Sequence, residues 1–421
     1  MNYSPALLPE AVHYSNGTLT MDQTSLSTIA AELPTPFYCY SQTLIEHKVS
    51  QCKEAFLPLG ASIHFAVKAN SNLSVLQLMA DSGLGADIVS GGELVRALEA
   101  GIPAEQIIYS GVAKTDREIR LAIEAGVGQF NLESAEELDR INRLATELER
   151  EVVAVLRVNP DVDAGTHRHI TTGKKGNKFG ICSSLLETLF TKAAEMPYLQ
   201  IRGLAMHIGS QICQLDPYRE AMSRMRSWVT ELRQQGFTLD RLDLGGGVGV
   251  NYGEDMPFSF ADYAALVKEE LSDLDIRLQI EPGRSLVAEA GVLVTSVVNT
   301  KQASPNSFVM LDAGMNDLMR PALYQATHHL LPVCDKAGQI AEQVDVVGPV
   351  CESTDCFLRN YHLPQTENGE LMAFTMAGAY SAVLASSYNS RSLVAEVLVS
   401  GDQHRIIRRA WDIAEQLMLE R

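Results

Sequence analysis

The stretch Ile63-His64-Phe65-Ala66-Val67-Lys68-Ala69-Asn70 reads as a buried β-strand that ends by presenting one lysine. Ile63, Phe65 and Val67 alternate with His64, Ala66 and Lys68, a period of two, and the polar run Asn70-Ser71-Asn72 stops the strand. An ammonium is costly to bury unless it is paired or its proton affinity is lowered, and a partly desolvated lysine is what Schiff-base chemistry requires. The competing reading is a surface lysine at a strand end. The rest of the chain decides between them.

Outward from this strand a unit repeats. Apolar strands are expected at 63–69, 86–90, 106–111, 129–133, 153–159, 201–210, 241–247 and 277–283. Helical patterns lie between them at 74–82, 92–100, 116–125, 135–148 and 185–195, each with apolar residues at three- and four-residue spacing. The first strands recur about every 21 to 24 residues, one strand plus one helix, and later units carry insertions. Strands alternating with helices predict a parallel sheet, and eight such units predict a closed (β/α)8 barrel. An open doubly wound sheet is the rival arrangement.

After about residue 291 the texture changes. Segments 292–300, 307–312, 343–347, 371–377 and 396–400 are β-rich with few helical intervals, which predicts a second, mostly antiparallel β-rich domain. Residues 1–35 form a hairpin-like lead-in with a helix near 25–33, closed by Pro34 and Pro36, and have no place in the barrel. The expected division is a barrel at 36–291 and a β-rich C-terminal domain at 292–421, which the N-terminal segment 1–35 joins.

Composition is consistent with this. In 421 residues, 46% hydrophobic content is ample for two cores, and 34 Lys+Arg against 52 Asp+Glu leave a formal charge of -18. That balance argues against a nucleic-acid partner. Met1-Asn2-Tyr3-Ser4-Pro5 shows no basic region followed by an apolar core, and no apolar run reaches membrane length. A cytoplasmic chain without a membrane partner is the expectation. The seven cysteines, Cys39, Cys52, Cys182, Cys213, Cys334, Cys351 and Cys356, are scattered, form no CxxC pair and read as reduced thiols. His167, His169, His328 and His329 make no metal-ligand pattern, so no metal is expected.

In such a barrel the chemistry sits at the C-terminal ends of the strands. Strand one ends in Lys68, and strand two carries Asp87 and ends in Ser90-Gly91-Gly92-Glu93. Strand five supplies Arg157 and Asn159, strand six His207-Ile208-Gly209-Ser210, strand seven Gly245-Gly246-Gly247 and strand eight Glu281-Pro282-Gly283-Arg284. The run Gly245-Gly246-Gly247-Val248-Gly249-Val250 completes no GxGxxG fingerprint, since Val250 takes the final glycine position. Glycines here let backbone N–H groups approach an anion, and the loops after strands seven and eight often hold a phosphate. Alone, the run is equally a tight turn; with Gly283 and Arg284 it reads as a phosphate cradle.

Glu281 ends the buried strand Leu278-Gln279-Ile280, where an unpaired carboxylate is costly, so it needs a cationic or N–H partner. A salt bridge to Arg284 or another arginine is the plain reading; a protonated pyridine nitrogen is the sharper one. His207 is either a satisfied core histidine or a ring that stacks on a flat ligand. Lysine, phosphate cradle and ring-nitrogen carboxylate together point to pyridoxal 5'-phosphate, whose aldehyde couples to a lysine.

On these residues the chain resembles the fold-type III, alanine-racemase-like pyridoxal phosphate enzymes, and among them the diaminopimelate decarboxylases. The stretches that carry the resemblance are HFAVKANSN, GADIVSGGEL, RVNPDVDAGTH, TGKKGNKFGI, HIGSQI, LDLGGGVGVNY, EPGR, DAGMNDLMRPALY, GPVCESTD and GAYSAVLASSYNSR, from about residue 35 nearly to the end.

The resemblance implies roles residue by residue. Lys68 carries the cofactor, with Asp87 in its site; His207 stacks on the ring, with Ser210 near the phosphate; Gly245, Gly246, Gly247, Gly283 and Arg284 hold the phosphate; Glu281 faces the ring nitrogen; and Tyr380 reaches the phosphate. Arg284, Arg320, Tyr324 and Tyr380 form the substrate side, the two arginines and Tyr324 gripping a distal carboxylate. Cys351 and Glu352 come from the partner subunit of a homodimer, the cysteine near the reacting carbon and the glutamate at the distal ammonium. Thr354 departs from the family, which has glycine there, and affects local loop shape.

The implied reaction removes the carboxylate at the D-centre of meso-2,6-diaminopimelate to give L-lysine and carbon dioxide, with Cys351 or Lys68 as proton donor. Two identical amino-acid ends must be told apart by charge, which arginines for carboxylate and a glutamate for ammonium accomplish. A surface ion pair is the plain reading of Arg320. The rival functions are decarboxylation of another basic amino acid, a pyridoxal phosphate-binding homologue without catalysis, and a barrel aldolase that uses Lys68 without cofactor.

Overall fold

The computed structural model of the chain describes residues 8–163, 178–253, 256–303 and 306–421. His167 and His169 lie outside the described residues. Two compact units partition the chain: a barrel unit of residues 49–251 and 255–285, and a β unit of residues 1–48, 252–254 and 286–421.

In the β unit the chain starts with a three-stranded sheet, β1 (Val12–Ser15), β2 (Thr18–Met21) and β3 (Thr24–Ser25). Ser25 then caps α1 (Leu26–Glu32) by accepting from the Ser27 N–H. Strand β4 (Phe37–Ser41) follows, buried at every residue. The expected hairpin-like lead-in and its helix are therefore present. Leu19 N–H donates to Val333 O, and Gln23 N–H to Gly401 O, which ties this segment to the C-terminal strands.

After α2 (Gln42–Phe56), the barrel unit alternates strand and helix. Its strands are β5 (Ser62–Ala66), β6 (Gly85–Ile88), β7 (Ile107–Tyr109), β8 (Gln129–Leu132), β9 (Val152–Arg157), β10 (Leu199–Ala205), β11 (Arg241–Asp243) and β12 (Arg277–Ile280). Every neighbouring pair is parallel, and β12 closes on β5 through Gln279 opposite Ser62 and Ile280 opposite Ile63. The (β/α)8 barrel is thus as expected, and the open sheet is excluded.

The helices start where the sequence places capping residues. Asn72 caps α3 (Leu73–Asp81), Ser90 caps α4 (Gly91–Glu99), and Thr115 makes a capping box with Glu118 at α5 (Asp116–Ala125). Ser134 caps α6 (Ala135–Leu148); α7 (Leu186–Ala193) and α8 (Asp216–Gln234) follow; Ser259 and Asp262 box α9 (Phe260–Leu271). Gly126 ends α5 with φ +80°. Each helix buries one stripe, such as Ile119, Ala122 and Ile123 of α5, at about 1.5–3 kcal/mol per fully buried large aliphatic side chain.

One difference is systematic. The strands stop earlier than the sequence reading extends them: strand one ends at Ala66, not Ala69, and strand six at Ala205, not Ser210. Lys68 therefore sits in a 3-10 turn, Val67–Ala69, and His207 and Ser210 sit in the loop after β10. A backbone that must turn its N–H groups toward a ligand leaves the ladder first.

The short helix α10 (Arg284–Val287) spans the boundary at residue 285, and the remainder of the β unit runs through β13 (Gly291–Lys301), β14 (Ser307–Leu311), α11 (Arg320–Tyr324), β15 (Leu330–Pro332) and β16 (Ala341–Val347). It ends with β17 (Cys356–Pro364), β18 (Leu371–Phe374), β19 (Ala395–Ser400), β20 (Gln403–Arg408) and α12 (Ile413–Met418). Pairing is mostly antiparallel, as expected, with two parallel exceptions, β14 with β16 and β19 with β4. Strand β13 uses its first half against β4 and β18 and its second half against β14. Strand β4, which the sequence boundary at residue 36 puts in the barrel, is in fact flanked by β13 and β19 of this sheet. No helix among the described residues is long and apolar enough to cross a membrane, and none of the seven cysteines forms a disulfide.

Candidate active site

Lys68 leaves its turn after β5 toward β6, where its Nζ lies 2.9 Å from Asp87 Oδ2. The carboxylate has no exposed surface and the lysine side chain keeps 33%. An ion pair so placed holds the amine at the barrel mouth while leaving its far side reachable. Asp87 Oδ1 is buried and has no hydrogen-bond partner among the described residues.

Two further carboxyls are buried at the ends of β11 and β12. These are Asp243 and Glu281, and their carboxyls face the same side-chain amide, that of Asn131. Burial, then the Asp243 and Asp87 charges, pushes Glu281 well above the usual carboxylate range, and burial raises Asp243 as well. Among the described residues no arginine pairs with Glu281: Arg284 donates to Ser210 Oγ at 2.9 Å, and Glu281 Oε1 accepts from Asn131 Nδ2 at 3.3 Å. Asn131 Nδ2 also reaches Asp243 Oδ2 at 3.0 Å and Ser110 Oγ at 3.1 Å. Sequence reading missed Asn131 and Asp243. The available signal was a polar residue at every second position of strands that must be buried, Gln129 and Asn131 in β8 and Arg241 and Asp243 in β11.

The Gly246 N–H donates to His207 Nδ1 at 3.2 Å, so that nitrogen is an acceptor and the ring is neutral. The ring retains some exposed surface. Its enclosed surroundings, then the charges of Lys68 and Arg157, nonetheless hold it well below its ordinary value. Arg157 itself pairs with Glu133 Oε1 at 2.5 Å.

The glycine run is imposed by close backbone approach. A Cβ on Gly245 would come 2.3 Å from Met206 O, one on Gly246 2.1 Å from Glu281 O, and one on Gly247 2.4 Å from Gly209 O. Gly245 and Gly247 also have φ of +67° and +104°, a region L side chains rarely adopt. Gly283 sits 3.0 Å, measured at its would-be Cβ, from Ala66 Cβ. The barrel unit therefore gathers Asp87 on β6 with Lys68, His207, Ser210, Gly245, Gly246, Gly247, Glu281, Gly283 and Arg284, which follow strands β5, β10, β11 and β12.

The remaining predicted residues belong to the β unit. Arg320, first residue of α11, is buried, lies 4.7 Å over the Tyr252 ring and donates to His328 Nε2 at 2.8 Å. This overturns the surface reading of Arg320. It also gives His328 a place: its Nδ1–H donates to Thr375 O at 2.9 Å, which aims Nε2 at the guanidinium. No cluster among the described residues has metal-ligating composition. Tyr324 ends α11 and is half-buried, and Tyr380 is half-buried at φ +54°.

Cys351 and Glu352 lie exposed on a loop that is nevertheless pinned. Cys351 N–H donates to Asn389 Oδ1 at 2.8 Å, and Asp355 accepts from Val350 N–H at 2.6 Å and Met315 N–H at 2.7 Å. Thr354 Oγ1 hydrogen-bonds Glu352 Oε1.

A flat phosphorylated aldehyde fits the barrel residues. An amine is held at the rim, the histidine ring is neutral, and the orphaned Asp87 oxygen is free to accept a proton donor. Backbone amides in the glycine run and the Arg284 guanidinium suit a dianion.

A family described as "Pyridoxal-dependent decarboxylase, pyridoxal binding domain" matches residues 42–288. The chain is 44% identical over 408 residues to a diaminopimelate decarboxylase of Zymomonas mobilis, covering 96% of each, and 45% identical over 405 residues to that of Neisseria meningitidis, covering 96% of this chain and 99% of the relative. Among solved structures, a diaminopimelate decarboxylase from Helicobacter pylori complexed with L-lysine superposes with a TM-score of 0.90 at 39% identity, covering 94% of this chain and 98% of the other. One from M. jannaschii, also in complex with L-lysine, gives a TM-score of 0.92 at 34% identity over 99% of both chains. With this fold, this barrel-mouth lysine and this end-to-end similarity, the chain belongs to the pyridoxal-dependent decarboxylases and, within them, to the diaminopimelate decarboxylase family.

Proposed function

We infer that this chain decarboxylates meso-2,6-diaminopimelate at its D-centre, giving L-lysine and carbon dioxide, with pyridoxal 5'-phosphate as cofactor. The observation that carries the reading is the Lys68–Asp87 pair at 2.9 Å, above a glycine cradle, in a chain similar end to end to enzymes of that name. When bound, the cofactor supplies an electron sink for the bond to carbon dioxide.

The protein's own residues do the rest. Lys68 offers the amine that holds the aldehyde, and Asp87 keeps that side chain directed into the bay. Gly245, Gly246, Gly247, Gly283, Arg284, Ser210 and Tyr380 receive the phosphate. Glu281 faces the ring nitrogen, and His207 lies against the ring face, where a neutral imidazole stacks without adding repulsive charge. Arg284, Arg320 and Tyr324 bind the distal carboxylate, which selects a diamino diacid over a diamine precursor with one carboxylate. Glu352 binds the distal ammonium, and Cys351 or Lys68 returns a proton. In this reading the chain forms a homodimer, with Cys351 and Glu352 entering the partner's site. The buried, stacked Arg320 supports it, since a guanidinium held that way is preorganised for a carboxylate.

The test is turnover. The purified chain with pyridoxal phosphate is given meso-diaminopimelate, ornithine, D-lysine and carboxynorspermidine in parallel, and carbon dioxide and product are measured. Lysine from diaminopimelate alone is the expected result. Faster release from another substrate overturns the substrate assignment, and no release from any overturns the reaction.

A further inference from the structure

The interior of the barrel is crossed by a chain of polar groups whose polarity is forced from one end. Arg241 has only donors, and its Nη1 donates to Gln129 Oε1 at 3.1 Å. Gln129 must then present its amide nitrogen forward, and Nε2 donates to Asn131 Oδ1 at 2.9 Å. Asn131 in turn can offer only N–H groups at its other end, where it meets Asp243 Oδ2, Glu281 Oε1 and Ser110 Oγ. The amide orientation that is usually ambiguous is fixed here by a guanidinium two residues away.

That relay ends on two buried carboxyl groups that converge on one amide nitrogen, Asp243 Oδ2 at 3.0 Å and Glu281 Oε1 at 3.3 Å, and two carboxylates enclosed so close together repel unless one of them carries a proton. The position of the proton follows from the remaining contacts. Asp243 accepts at both oxygens, from Gly245 N–H at 2.9 Å and from Asn131 at 3.0 Å, which is the pattern of an ionised carboxylate. Among the described residues Glu281 is left with one acceptor contact, the longer one from Asn131. We propose that Asp243 and Glu281 hold a single proton between them, carried on Glu281 and donated to Asp243, and that Asp243 is a positioning residue which acts through Glu281.

The surrounding charges agree. The titratable groups facing the pair are Asp87 on β6, Lys68 after β5 and Tyr263 on α9, while Ser110 after β7 shares the Asn131 amide with it. Lys68 is the only cation the pair senses among these, and it is already bonded to Asp87. Three carboxylates and one ammonium enclosed together would repel, and one retained proton removes the excess. The consequence for a ring nitrogen placed against Glu281 is that the proton it needs is already stored in the protein. Asp87 and Lys68 mark the cofactor bay, whereas Asp243 and Asn131 lie beneath it as its support.

The proton count concerns the barrel alone, so its test does not depend on the reaction proposed above. Infrared spectra of the full-length chain, freed of pyridoxal phosphate, are recorded in H2O and D2O at about pH 8, where ordinary carboxyls are ionised. A deuterium-sensitive carboxylic acid C=O band is expected in the wild type and is lost in both Asp243→Asn and Glu281→Gln, with circular dichroism confirming the fold of each. No band in the wild type overturns the proposal. A band that survives either substitution also overturns it, because one carboxyl then holds the proton without the other. If Asp243→Asn does not fold, Glu281→Asp keeps both acids but draws one back by a methylene. A shift of the band to higher frequency then supports the shared proton, and an unmoved band contradicts it.

Discussion

Lys68 Nζ lies 2.9 Å from Asp87 Oδ2, and the two partners differ sharply in exposure, a third of the lysine side chain against none of the carboxylate. The asymmetry makes the two deletions unequal. Lys68→Met strands a buried carboxylate beside Glu281 and Asp243, whereas Asp87→Asn leaves an ammonium that water can reach. Removing one member of a buried pair costs about 3–5 kcal/mol and far less when the survivor is solvated, so Lys68→Met should be less stable than Asp87→Asn by about 2 kcal/mol. Urea unfolding of both variants without cofactor measures this; equal or inverted stabilities contradict the burial argument.

Gly246→Ala should damage the cradle more than its size implies. The added Cβ meets Glu281 O at 2.1 Å, a backbone atom that cannot rotate away. The cost is expected at about 1–3 kcal/mol, with backbone displacement as the route of relief. Because the displaced carbonyl belongs to Glu281, pyridoxal phosphate affinity falls along with the thermal midpoint. Gly126→Ala, at a helix end with open space around it, shifts the midpoint through φ strain but leaves cofactor affinity intact.

His64 provides a pH signature. Its Nδ1–H donates to Gln106 O at 2.9 Å and its Nε2 accepts from Ser62 Oγ at 2.9 Å, a pattern only the neutral ring can make. Burial lowers it from 6.5 to about 4. The folded state therefore binds the proton less well than the unfolded chain: the contribution is complete above pH 6.5 and is lost as pH falls toward 4. The full loss is about 3 kcal/mol. Thermal unfolding from neutral to acid pH should show this fall, and His64→Gln should flatten it; an unchanged slope removes His64 as the cause.

Thr354 stands where the resemblance implies glycine, and its hydroxyl bonds Glu352. If Glu352 takes the distal ammonium, Thr354 preorganises it. Thr354→Gly should raise KM about 3- to 10-fold, the worth of one net hydrogen bond, with kcat nearly unchanged, and Thr354→Ser should restore it. An equal loss in kcat, or no rescue by serine, argues for a loop-shape effect instead.

The barrel was legible because its signal is local and repeated. Strand, helix and cap recur at short spacing, and Asn72, Ser90, Thr115 and Ser134 each cap the helix they precede. Strand β4 was not assignable to its sheet, since Phe37–Ser41 is buried on both faces and pairs with Gly291–Val294, far away in sequence. The site residues with ordinary motif chemistry, Lys68, Glu281 and the glycines, could be read. Asn131, Gln129, Asp243 and Arg241 could not, because a hydrogen-bond relay through a barrel interior depends on register between strands rather than on any one segment.

The claim on which the rest stands is that Lys68 is the residue that holds the cofactor. The chain loaded with pyridoxal phosphate is reduced with borohydride, digested and sequenced by mass spectrometry. A pyridoxyl adduct on Lys68, absent from Lys68→Ala, is the predicted result; an adduct on a different lysine, or none on the wild type, contradicts the account.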